Sequence, residues 1–303
     1  MKRSVTGEPA ASMSELSQLY ARLNRRALSE AQLFHHGFPR PSNLPGKARV
    51  RVHPDTFWTA QPSLRKRICE RCKKTYEVDS SGYPVVKEEC RWHLWRAKNG
   101  IYGCCGRSTY GKTCKTSPLH VTSNIDPDNL KGFIDTSDSD VSSTSVFALD
   151  CEMVSTTRGM EIAAITVVDH QCKVVYETLV LPEGRIIDYN TIFSSLTSDK
   201  FRDVTTKLED VHTKLMSLVG THTILVGHGL HNDLLRLQLF HGRVVDTIYL
   251  YPHPKGLPAK NPLRFLKQRH LPHLLVNEGL KCREDAVATM MLARLKCGFT
   301  ASP

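Results

Sequence analysis

Two carboxylates stand two residues apart in an apolar run: Asp150 and Glu152 in F-A-L-D-C-E-M-V, residues 147–154. On a β-strand, side chains at i and i+2 share a face, so both acids point one way and Cys151 the other. An ionised carboxylate among apolar neighbours is costly unless it is paired or bound to a metal. The D-x-E pair therefore points to a hard-cation site with oxygen ligands suited to Mg²⁺ or Mn²⁺. The competing reading is a strand end with two solvated acids. Two downstream acids decide between them. Asp233 stands in V-G-H-G-L-H-N-D-L-L, at the first turn of a predicted helix, and Asp285 in C-R-E-D-A at the start of another. Four acids so placed are what a pair of divalent ions needs to activate a water and stabilise a leaving oxygen in an in-line phosphoryl displacement. Taken alone, Asp285 reads better as a charge complementing a helix N-terminus. The set of four carries the metal reading.

A second group of chemistry-bearing side chains lies upstream. Cys69-x2-Cys72 is followed, after 17 residues, by Cys90-x2-His93, the spacing of a tetrahedral Zn²⁺ site. Tyr76, Val78, Tyr83, Val85 and Val86 around Ser80-Ser81-Gly82 read as a hairpin, which makes the unit zinc-ribbon-like. Cys104, Cys105, Cys114 and His120 offer four more ligands within 17 residues, enough for a second zinc or for substitution into the first site. A unit this small needs its metal to fold. Trp92, Trp95, Tyr102 and Tyr110 lie among Lys and Arg, a pattern suited to stacking bases beside phosphate contacts; two of them serve equally well as a small core.

These residues need elements to hold them. The chain has 303 residues, enough for one large domain or two modest ones. It lacks any run of 18 apolar residues, so no membrane span is expected, and M-K-R-S-V-T-G-E-P does not open a secretory signal. Its 10 cysteines then point to metal ligands and free thiols. The net charge of +11 is uneven: residues 1–123 hold 22 Lys and Arg against 9 Asp and Glu, residues 124–303 hold 19 against 21. The basic half is where an anionic partner such as RNA is expected to be gripped.

Residues 14–34 predict an amphipathic helix interrupted near Asn24, to be docked on a partner protein or on the chain itself. Prolines at 39, 41 and 45 follow, then a basic arm of Lys47, Arg49 and Arg51. The polar stretch 122–145 reads as a linker. Beyond it, 145–153, 161–169 and 172–180 predict three strands in a meander. Residues 204–219 predict a helix, 223–227 a strand, 231–240 a helix and 243–246 a strand; 262–270 and 284–296 predict helices. Strand–helix–strand alternation requires parallel pairing through crossovers. The expected units are 1–60 (helix and basic arm), 61–122 (zinc-binding basic module), 123–144 (linker) and 145–303, an α/β mixed sheet flanked by helices.

The four acidic segments resemble the motifs of the DEDD 3′→5′ exonucleases, with the closest likeness to the RNA exonuclease 1/GOR family of the DEDDh branch. The matching pieces are F-A-L-D-C-E-M-V, T-V-V-D, D-Y-N-T-x-F from Asp188, V-G-H-x-L-x-x-D-L from Val226, V-V-D-T from Val244, and E-D-A from Glu284. The likeness reaches back through the cysteine block to the first helix. It implies a ribonuclease-H-like fold, a 3′→5′ exoribonuclease acting on single-stranded RNA ends, and a nuclear RNA-processing setting. Asp150, Glu152, Asp233 and Asp285 would be catalytic and bind two Mg²⁺ or Mn²⁺ ions. Met153 and the turn Gly227, His228, Leu230 would line the terminal-nucleotide pocket, with His228 structural. The chain departs from the family at one point. Five residues before the last aspartate, where the general-base histidine of the DEDDh branch stands, it has Leu280; the tyrosine position of the DEDDy branch holds Lys281. His270 or His273 would have to swing in to replace the base. The alternative reading is an inactive exonuclease fold that binds RNA or serves as a scaffold.

Overall fold

The computed structural model describes residues 14–51, 63, 65–123, 130–274 and 279–301. Parts of the expected N-terminal unit (1–13 and 52–60), of the expected zinc-binding module (61–62 and 64) and of the expected linker (124–129) lie outside the described residues.

The N-terminal segment forms two helices, α1 (Glu15–Asn24) and α2 (Glu30–His35). Ser14 caps α1 by accepting from Ser17 N–H, and Ser29 opens α2 with a reciprocal capping box to Gln32. A second N-cap five residues after Asn24 explains the interruption. Leu19 and Leu23 of α1 are fully buried, in one cluster with Val146, Ala286 and Met290. The apolar face of this helix is therefore spent on the chain's own body. Two short paired strands, β1 (Arg40–Pro41) and β2 (Ala48–Arg49), carry part of the basic arm.

The cysteine-rich module contains β3 (Lys66–Ile68), β4 (Thr75–Glu77), β5 (Cys90–Trp92), β6 (Ala97–Lys98), β7 (Ile101–Tyr102) and β8 (Lys115–Ser117). They pair as three two-stranded ribbons, β3 with β4, β5 with β8 and β6 with β7. The hairpin expected around Ser80–Gly82 is reduced to a Val78–Pro84 bridge, with Val85 and Val86 exposed.

The expected linker does not hang free over its described part. Its strand β9 (Ile134–Asp135) pairs with β15 (Leu239–Phe240), and Phe133 stacks on Phe240 at 4.9 Å. Two apolar side chains in a polar stretch suffice to seat it. The same pairing ends the helix expected over 231–240 at Arg236.

The main body is a six-stranded sheet. Its strands are β10 (Val146–Thr156), β11 (Gly159–Asp169), β12 (Val174–Leu179), β13 (Ile186–Asp188), β14 (Ile224–Gly227) and β16 (Val244–Asp246). The order is β12-β11-β10-β14-β16, with β13 on the far end of β10. The first three are antiparallel; β14 and β16 run parallel to β10. Three antiparallel strands followed by two parallel ones form the ribonuclease-H-like sheet. The helices of the body are α3 (Thr191–Ser194), α4 (Leu208–Met216), α5 (His231–Arg236), α6 (Thr247–Leu250), α7 (Leu263–His270) and α8 (Lys281–Lys296). Alternation along β10 divides the core. Leu149 and Cys151 join Val211 and Leu215 of α4, whereas Val146 and Ala148 join Ala286, Met290 and Ala293 of α8. Asp150 and Glu152 thus belong to the α8 face. Among the described residues, no helix is long and apolar enough to cross a membrane.

Candidate active site and metal-binding module

The acids of β10 sit where the ladder breaks. Asp150 pairs with Thr166 and Glu152 with Ala164, and the register then slips between Glu152 and Met153. Such a bulge re-aims neighbouring side chains and is frequent beside active sites. Asp233 enters from the first turn of α5, and hydrogen bonding from Cys151 holds its carboxylate against β10. Asp285 comes from α8. That helix begins at Lys281, three residues earlier than the sequence pattern implies, and two contacts pin its start to the sheet. Cys282 Sγ lies 3.3 Å from Thr166 Oγ1, and Arg283 Nε donates to Glu177 Oε2 at 2.8 Å.

The four acids act on one another. Burial, then Asp233, Asp285 and Glu152, push the Asp150 carboxyl well above its ordinary value. Burial raises Glu152 to about 7, against an opposing pull from Lys281, and raises Asp233 to about 8. Asp285 departs from this pattern: burial pushes it up, but Lys281 and Lys267 outweigh burial and hold it below the usual carboxylate range. Buried like charges raise each other in this way when no cation is shared among them. The oxygens are spread wider than a single small coordination sphere. Among the described residues, only two Cys/His groups bring three or more ligand atoms within 4.8 Å of one another. A donor set of carboxylates alone suits a hard divalent cation in its chemistry, and Asp150, Glu152 and Asp233 are the residues that would hold one, although no three of their oxygens lie within 4.8 Å of one another. Asp285 already carries two ammonium partners.

The turn after β14 is built around Asp246, a residue the sequence reading quoted in V-V-D-T without giving it a role. Its buried carboxylate accepts from Gly229 N at 3.0 Å, Leu230 N at 2.9 Å and Ile248 N at 2.9 Å. A Cβ on Gly227 would lie 2.6 Å from Leu230 Cβ, and Gly229 takes φ +72°, so both glycines are required by this turn. His228 Nδ1 lies 2.8 Å from Thr247 Oγ1, and burial lowers the ring to about 4. Both features suit a neutral, positioned imidazole.

Leu280 packs with Val154, Leu196 and Phe201, so the position of the missing histidine is an apolar contact. His270 does not replace it. Its ring lies 4.9 Å from that of Tyr251, whose hydroxyl donates to Leu292 O. Leu292 is seven residues beyond Asp285, about 10 Å along the helix. His273 lies in the turn after α7 and is exposed.

The upstream ligands regroup. One set is Cys69, Cys72, Cys90 and His120; the other is His93, Cys104, Cys105 and Cys114. The grouping expected from spacing, with His93 beside Cys90 and His120 in the second set, is therefore corrected: the two histidines change places. The reason is local geometry. Cys69 and Cys72 flank a tight turn, so both thiols converge. Cys90 lies on a strand, where a residue three positions on faces the opposite side. Pairing of Cys90 with Ser117 in the β5–β8 ribbon then brings His120 back beside Cys90. Sγ–Sγ distances of 3.7 Å (Cys69–Cys90) and 3.5 Å (Cys104–Cys114), with Cys72 Sγ to His120 Nδ1 at 3.2 Å, match the edges of a tetrahedron with metal–sulfur legs of about 2.3 Å. Hydrogen bonding with Cys90 lowers the Cys69 thiol to about 4, towards the thiolate a metal requires.

Two guanidinium groups join this module to the body, Arg67 by donating from Nη1 to Thr157 O at 2.7 Å and Arg71 beside β10. Arg71, in the turn between Cys69 and Cys72, donates to Asp188 Oδ2 and Asn190 Oδ1, both at 2.6 Å. Asn190 Nδ2 in turn donates to Met153 O at 3.2 Å. The D-Y-N-T-x-F segment is thus the joint between module and body. Beside it opens a cleft of about 670 Å³ lined by Arg91, Trp95, Arg96, Tyr102, Ser155 and Phe193 among others. Trp95 and Phe193 are more than half exposed.

The sheet topology is of the ribonuclease-H-like class. No protein-family model matches the chain. Among curated proteins, human RNA exonuclease 1 homolog is 37% identical over 292 residues, covering 90% of this chain and 23% of its own length. Exonuclease GOR of Pan troglodytes is 36% identical over 310 residues, 96% of this chain and 44% of its own length. The chain belongs to the RNA exonuclease 1/GOR-like family. It spans less than half the length of these relatives. Among solved structures, the Neurospora crassa Pan2 catalytic unit (protease and nuclease domain) aligns with a TM-score of 0.45 at 22% identity, covering 52% of this chain and 28% of that one.

Proposed function

We propose that this chain is a divalent-cation-dependent 3′→5′ exoribonuclease that removes nucleotides from single-stranded RNA ends. The observation that carries the reading is that Asp150, midway along β10, is buried within reach of the charges of Asp233, Asp285 and Glu152. These residues would hold Mg²⁺ or Mn²⁺. Bound there, the cation supplies an activated water and neutralises charge on the phosphate. Everything else falls to the chain. The turn from Gly227 to Leu230, braced by Asp246, and Met153 would shape the pocket for the terminal nucleotide. Trp95 and Phe193 offer stacking faces to the preceding bases, and the basic side chains of the module take the phosphates. Zn²⁺ in the two Cys/His groups holds the module folded and Arg71 in place.

Leu280 offers no proton acceptor, and loss of a positioned base typically costs about 10²–10⁴-fold in rate. The second reading, an RNA-end-binding protein without turnover, rests on that residue. Incubating the purified chain with 5′-labelled single-stranded RNA and Mg²⁺ or Mn²⁺ tests the proposal. We expect progressive shortening from the 3′ end, abolished by Asp150→Asn. Absence of shortening with intact binding favours the second reading, and cleavage that persists in the variant removes the acids from the mechanism.

A further inference from the structure

A pair of lysines sets Asp285 apart from the three other acids. Its Oδ1 accepts from Lys267 Nζ at 2.9 Å and its Oδ2 from Lys281 Nζ at 2.8 Å, so both carboxylate oxygens are engaged. Lys267 also bonds Glu284. The contacts are shielded: the Asp285 side chain is 14% exposed and that of Lys267 20%. Lys281 stands one helical turn before Asp285, on the same face of α8, and Lys267 arrives from α7. The Lys281 charge also acts on Asp150 and Glu152. One ammonium therefore serves three of the four acids, which is the service a shared cation would render.

We propose that Lys281 and Lys267 stand in for the second divalent ion on the Asp285 side of the site. The chain then takes one divalent ion firmly, among the acids around Asp150, and a second, on the Asp285 side, only weakly. This rests on the metal-dependent reading above and sharpens it. An incoming cation at Asp285 would have to displace two hydrogen-bonded ammonium groups and then lie beside them, with like charges close together in a partly buried place. The first turn of α8 thus differs twice from a two-ion hydrolytic site, in Leu280 and in Lys281. A fixed ammonium there still neutralises a terminal phosphate, but it offers no open coordination position for a water.

The test is a Mn²⁺ titration of the full, zinc-loaded chain, read by electron paramagnetic resonance and by calorimetry without substrate. Asp150→Asn marks the firm site. We expect one firmly bound Mn²⁺ in the wild-type chain and a second at least tenfold weaker. Lys281→Met should tighten the second about tenfold, Lys267→Met/Lys281→Met more, and Lys281→Arg not at all. Should the double variant fail to fold, Lys281→Met alone serves, because the Lys281 side chain is 42% exposed. Two equally firm ions in the wild-type chain, or a second site indifferent to Lys281→Met, would overturn the proposal. Absence of bound Mn²⁺ from the wild-type chain and every lysine variant would instead overturn the metal-dependent reading beneath it.

Discussion

Replacing Glu152 by Gln removes one charge from the acidic cluster and should change how stability depends on pH. The Glu152 carboxyl stands at about 7 against 4.5 in its ordinary environment. At about 1.4 kcal/mol per pH unit, that difference is worth about 3 kcal/mol. Below pH 4.5 the folded and unfolded chains both hold the proton, and the full stability is present. Between 4.5 and about 7 only the folded chain keeps it, so stability falls as pH rises; above about 7 the loss is complete. Asp233, raised to about 8, extends the decline in the same direction. Urea unfolding followed by far-ultraviolet circular dichroism, on zinc-loaded protein free of Mg²⁺ and Mn²⁺, should show wild-type stability dropping across this window. Glu152→Gln should remove about 3 kcal/mol of the drop. Saturating Mg²⁺ at pH 7.5 should restore stability in the wild-type chain, by about 2.7 kcal/mol at a hundredfold excess over its dissociation constant. Identical pH profiles for wild type and variant would mean that the Glu152 carboxyl is not held in a buried place, and the site would have to be redrawn.

Exchanging the histidines is read by metal content. Native mass spectrometry should find that His120→Ala loses the metal bound with Cys69, Cys72 and Cys90 and keeps the other, while His93→Ala does the reverse; the opposite pattern would restore the grouping by spacing. Asp246→Ala leaves three buried N–H groups without an acceptor, at about 1–3 kcal/mol each if none finds a substitute, so a marked fall in unfolding midpoint with a raised KM is expected. Trp95→Ala and Phe193→Ala should each weaken single-stranded RNA binding about fivefold or more, since base–aromatic stacking is worth about 1–3 kcal/mol; fluorescence anisotropy with a labelled oligonucleotide reads the change.

The acid-bearing strand β10 was legible because period-2 alternation leaves two acids on one face whatever the partners are. The order of strands and helices followed from the same periodicities. What stayed hidden depends on contacts between residues distant in the chain. His120 reaches Cys90 only because β5 and β8 pair, and residue spacing carries no record of that ribbon. Phe133 and Ile134 turn a polar stretch into a docked strand because β15 is there to receive it. Leu280 is visible in the sequence as a missing base, but its packing against Val154 and Phe201 is tertiary. Lys267 lies 18 residues before Asp285, and nothing in its neighbours marks it as that residue's counter-ion.

Arg71 gives the cysteine-rich module a say in the acid-bearing strand. The turn that presents it lies between two thiols that would share a metal ion, and the carbonyl of Met153 accepts from the asparagine that Arg71 holds. Oxidants or chelators that attack those thiols are expected to leave the sheet standing yet loosen the backbone beside Asp150 and Glu152, so that thiol chemistry would reach the acids through Arg71 and Asn190.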